Sequence, residues 1–68
     1  MDAAREFEKL IEVYETYLPG HLELGIIYAG KLQMPDRANV HYRRVLELNP
    51  QHPEAAVIRE WLLTNNRP

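Results

Sequence analysis

With 68 residues, 46% of them hydrophobic, the chain has material for one small domain and excludes a second; in this size range a single core gives only marginal stability. Ten acidic against eight basic residues leave a formal net charge of −2, which supplies no global attraction to nucleic acid or to an anionic membrane. Cysteine is absent, so disulfides, thiolate metal sites and thiol nucleophiles are excluded, and no apolar run approaches the roughly 20 residues that a bilayer span needs.

Met-Asp-Ala-Ala-Arg-Glu opens charged and helical, with no apolar signal-peptide core behind it. As written the chain reads as soluble, with its compartment open. Asp2 is placed to cap a first helix, and Ala3, Phe7, Leu10, Ile11, Tyr14 and Leu18 follow at a 3.6-residue rhythm, which predicts a helix to about Tyr17. Leu18-Pro19-Gly20 then breaks the pattern. A second helix is expected from Pro19 or Gly20 to about Leu32, with Leu24, Gly25 and Ile27 or Tyr28 on its inner face. Pro35 suits an early position of a third helix, whose stripe of Ala38, Tyr42, Val45 and Leu46 stops near Asn49-Pro50. Pro53 opens a fourth helix through Ala55, Ile58, Trp61 and Leu62, fraying at the final Thr-Asn-Asn-Arg-Pro. No strand pattern competes.

Within these elements His21-x₂-Leu24-Gly25-x₂-Tyr28, Ala38-x₃-Tyr42 and Pro50 stand at fixed spacings. The run resembles a tetratricopeptide repeat (TPR), a helix-turn-helix unit of about 34 residues with Leu-Gly, Tyr, Ala, an aromatic and Pro at these offsets. The resemblance covers one full repeat, about residues 18–52. One repeat length upstream, Ala3 and Phe7 match the small-residue and aromatic positions of a preceding half repeat. Glu15 stands where that half repeat's closing Pro would fall, so the first helix is expected to run on by nearly a turn. Arg59 and Glu60 occupy the next Leu-Gly site, so the last helix reads as a cap. Two departures are His21 in place of the usual Trp and one extra residue between Tyr28 and Ala38, around Leu32-Gln33-Met34-Pro35, which is expected to lengthen the turn.

The resemblance implies an all-α fold, an antiparallel helix-turn-helix stack of four helices with TPR-like, right-handed superhelical stacking, in which Gly25 and Ala38 allow close helix approach and Tyr28 and Tyr42 fill the core. It also implies a non-enzymatic role in protein-protein interaction, with a protein or peptide partner and no cofactor. The family's concave groove maps to Leu22, Glu23, Ile26, Ala29 and Gly30, extended by Val57 and Trp61. That strip is apolar with one carboxylate, which suits an apolar or amphipathic segment. The Lys, Asn and Arg with which chaperone-binding members hold a terminal carboxylate are missing there. Leu22 and Ile26 read equally as half-buried filler. Trp61 can close the core or anchor a partner.

In such a stack the first helix lacks a covering neighbour, which leaves Ala4, Phe7, Ile11 and Tyr14 as a face for self-association into a homo-oligomer, or for a helix lying upstream in a longer chain. His21, His41 and His52 are not spaced for a shared metal and read as surface or cap residues, with a partly buried packing role for His21. Arg37, Arg43 and Arg44, with Arg5 and Lys9, read as a solvated convex face rather than a phosphate track. Glu6, Glu8, Glu12 and Glu15 likewise read as an exposed charged face. Serine is absent, Thr16 and Thr64 have no adjacent base, and no Gly-rich phosphate loop or paired carboxylate is present, so the parts of a catalytic site are missing.

Overall fold

The computed structural model describes residues 2–65. Among them the chain forms four helices, α1 (Ala3–Val13), α2 (Leu18–Ala29), α3 (Pro35–Leu48) and α4 (Ala55–Asn65), and no strand, which gives the all-α stack that the hydrophobic rhythm predicts. Each helix packs on its chain neighbour, and α2 and α4 make no close backbone approach because α3 lies between them. The packing is antiparallel throughout: Tyr28 meets Arg37 and Gly25 meets Tyr42 across α2 and α3, while Glu8 meets Tyr28 across α1 and α2.

Helix α1 begins as expected, with the Asp2 Oδ1 accepting from the Ala4 and Arg5 N–H groups at 3.1 and 3.4 Å. It ends at Val13, about a turn before the expected Tyr17, and residues 14–17 form a turn. The reason lies downstream. Pro19 falls within the first turn of α2, where its missing N–H costs nothing, so α2 starts at Leu18 and the chain must already have reversed. A first helix running on past Glu15 would leave no residues for that reversal.

At its other end α2 stops at Ala29 rather than near Leu32, with Gly30, a poor helix former, at the cap. The carbonyls freed there are taken by the turn: Gly30 N–H donates to Ile26, Leu32 N–H to Ile27 and Met34 N–H to Tyr28. In this turn Gln33 stands at φ 50°, the left-handed region that a side chain adopts only at a cost. Helix α3 then starts at Pro35 as its sequence predicts. Helix α4 starts at Ala55, two residues after Pro53, and the part of its expected frayed end that falls on residues 66–68 lies outside the described residues.

The core is drawn from all four helices: Ala4, Leu24, Tyr28, Ala38, Tyr42, Val45 and Ile58 are buried, with Leu24, Ala38 and Val45 wholly so. Between α2 and α3 the closest approach is made by Gly25, whose hydrogen faces the Tyr42 ring; a Cβ built there would lie 2.6 Å from two ring carbons. Trp61 of α4 packs edge-on against the other side of that tyrosine, with ring centroids 5.0 Å apart. Gly20 does for α1 what Gly25 does for α3, since a Cβ there would meet Ile11 Cγ2 at 2.8 Å. The α1 strip expected to lie open is therefore largely covered. Ala4 is buried, and Phe7 and Ile11 are half-buried against the core.

Replacing Gly25 by Val forces the buried Tyr42 ring to move, and overpacking of this kind costs about 2 kcal/mol. Urea unfolding should show that loss, and a Gly25→Val chain as stable as the parent would mean that the two helices are free to separate.

Candidate functional site

Three groups of side chains in this fold carry functional potential: a buried polar chain at the α1–α2–α3 junction, the apolar positions along α2 and α4, and the open end of α1.

The polar chain was not legible in the sequence. Nδ1 of His21 and Nδ1 of His41 lie 3.2 Å apart, with ring centroids 5.4 Å apart, and both residues are buried. This corrects the expectation of a surface or cap residue for His41, while His21 takes the packing role expected of it and is more fully buried; the two stand 20 residues apart on different helices, so no within-helix spacing announces the pair. His52 alone follows that expectation, its Nδ1 accepting from the Glu54 N–H at 3.0 Å. On its far side His21 points Nε2 at the Glu15 backbone carbonyl, 2.8 Å away. His41 points Nε2 at the Glu8 carboxylate, 3.6 Å away, and that same Oε2 accepts from the Tyr28 hydroxyl at 2.6 Å. Glu8 is thus drawn inward to serve two partners rather than standing in the exposed acidic face expected of it.

A carbonyl only accepts, so His21 Nε2 carries hydrogen, and the neutral ring leaves Nδ1 as acceptor. His41 must then donate from Nδ1, which leaves its Nε2 bare toward Glu8. Burial holds His41 below the ordinary imidazole range, against the pull of Glu8, while His21 and Arg37 add to the lowering. Burial also raises Tyr28, and its hydrogen bond to Glu8 adds to that. Beside the chain, Arg44 grips Glu15 through Nη2 at 2.6 Å and Nε at 2.8 Å and reaches Glu47 at 3.1 Å, which lowers Glu15 and raises Arg44. One member of the expected convex basic face is thus committed to tying the α1–α2 turn to α3. No group of three or more His, Asp or Glu side chains placed to hold a metal ion occurs among the described residues.

The expected groove residues divide by exposure. Ile26 is 50% and Val57 64% exposed, and Glu23 is exposed. Leu22, Ala29 and Trp61 are half-buried and pack on the core. A shallow hollow of about 310 Å³ lies beside Val57 and Trp61 with Glu60, Thr64 and Asn65 as its other walls, all from α4. Trp61 therefore packs on Tyr42 and still lines open surface. At the end of α1, Val13, Tyr14 and Tyr17 are 72, 61 and 44% exposed. Of the four residues expected to self-associate, Tyr14 is the one that remains open.

No protein-family model, curated protein or solved structure matches this chain. Among the described residues no helix is long and apolar enough to cross a membrane.

The tautomers assigned above have a direct signature. In nitrogen-15 spectra of the imidazole rings at pH 8, His21 should be protonated on Nε2 and His41 on Nδ1. A His21 ring protonated on Nδ1 would contradict the assignment.

Proposed function

We propose that the chain is a TPR-like, non-enzymatic interaction module that docks an apolar or amphipathic protein segment along α2 and α4. The observation that carries this reading is the contact between α2 and α3: Gly25, Tyr28, Ala38 and Tyr42, the residues of the TPR-like spacing, are all buried there, with Gly25 against the Tyr42 ring. With those positions used for packing, the helix faces left open carry Ile26, Val57 and the edge of Trp61, large apolar groups that gain by being covered. A partner helix with apolar residues at i, i+3, i+4 and i+7 suits such positions, because its own polar face stays in water.

Ile26 and Val57 are better probes than Leu22, since they can be charged without disturbing the core. In selection from a displayed peptide library, the parent chain should enrich apolar or amphipathic sequences. The double variant Ile26→Glu/Val57→Glu should lose that capture at least tenfold while its circular dichroism is unchanged. Undiminished capture would remove the groove assignment.

A second reading is favoured by Val13, Tyr14 and Tyr17, which put three large apolar side chains at the end of the first helix and in the turn that follows it. There the module self-associates, and the face lies nearer the α1–α2 turn than the buried Ala4 allows. Light scattering separates the two readings: a mass that rises with concentration and returns to the monomer in Tyr14→Glu supports self-association, and a constant monomer mass excludes it.

A further inference from the structure

The His21–His41 contact has room for only one proton. With both Nδ1 atoms bare, two lone pairs face each other across 3.2 Å; with both protonated, two hydrogens do, and the His21 ring is charged. His21 Nε2 is fixed as a donor by the Glu15 carbonyl, so the neutral pair has one arrangement, His41 Nδ1 donating to His21 Nδ1 with His41 Nε2 bare, and one added proton finds one further place, His41 Nε2 opposite Glu8. The folded pair thus reaches a charge of +1 at most, whereas the same two rings released into water reach +2. This difference follows from the geometry of two buried rings and holds whichever partner docks on the module.

We propose that the His21–His41 pair is an acid switch, which keeps α1, α2 and α3 assembled at neutral pH and opens that assembly as the pH falls below about 6.5, the ordinary imidazole range. A folded state that binds fewer protons than the open state is favoured at high pH and loses ground as the pH falls. The groups around His41 set the balance. Glu8 from α1 favours the proton, Arg37 on α3 itself opposes it, His21 from α2 opposes it once charged, and the Tyr28 ring from α2 lies over the imidazole at 5.8 Å. Glu15, whose backbone carbonyl meets His21, has its carboxylate already held by Arg44. Burial of His41 works in the same direction as the proton limit. Opening parts α2, which carries His21, from α3, which carries His41, and loosens α1 through Glu8, and so disorganises the α2 face proposed for docking.

The test is urea unfolding of the full chain between pH 7.5 and 5.0. One proton fewer in the folded state makes the unfolding constant rise about tenfold per pH unit between pH 6.5 and 5.5. His52→Ala should keep that slope, and the double variant His21→Phe/His41→Leu should flatten it. Should the double variant fail to fold, ring spectra of the unaltered folded chain decide: over the same range His21 and His41 together should gain at most one proton, with His52 as reference in the same sample. An unfolding constant independent of pH across the window, loss of the slope in His52→Ala, or two cationic rings in the folded chain would each overturn the proposal.

Discussion

The seating of the Tyr42 ring on Gly25 is the contact on which the rest of the structure depends. It sets how near α2 and α3 come, and among the described residues each other pair of packed helices includes one of these two. Gly20 repeats the device toward α1, where Ile11 fills the space a side chain would take. Trp61 packs edge-on against Tyr42, so the small residue, the tyrosine and the tryptophan link α2 through α3 to α4. In a chain of this size few contacts are redundant, and so small a core has little capacity to absorb a misplaced ring.

Around that apolar spine the junction of α1, α2 and α3 is polar. Two imidazoles, a carboxylate, a phenol and a backbone carbonyl form a chain in which every member has a partner, and Arg44 clasps the turn beside it. Buried polar groups are costly unless satisfied, so such a chain restricts geometry: the three helices must hold these groups within reach of one another. It also makes that geometry conditional on protonation. A tryptophan at position 21, as the TPR spacing would have it, would fill the same space with an apolar body and no titratable nitrogen, and the condition would vanish. Stability and sensitivity to acid therefore meet at one residue.

The sequence made the helices legible because each has an apolar stripe and a proline or cap near its start. Leu24, Tyr28, Ala38, Tyr42, Val45 and Ile58 were readable as core for the same reason. What escaped it depends on contacts between helices. The early end of α1 follows from where α2 must begin. The histidine pair is formed by residues that share neither helix nor period, and Glu8 leaves the charged face because Tyr28 and His41 lie within its reach. Exposure is equally a three-dimensional outcome: Ala4 and Tyr14 share one expected self-association face, yet one is buried and the other lies past the last turn of its helix. A resemblance in spacing placed Leu22 and Ile26 on the same face, and packing then made one filler and the other surface.

Native-state hydrogen exchange tests most directly the claim that the α2–α3 contact carries the fold. The slowest amides, those that exchange only on global unfolding, should lie in the central turns of α2 and α3 around Leu24 and Tyr42, while α1 and α4 open at lower free energy. Amides of α1 or α4 outlasting those of α2 and α3 would contradict the account and place the organising contact elsewhere.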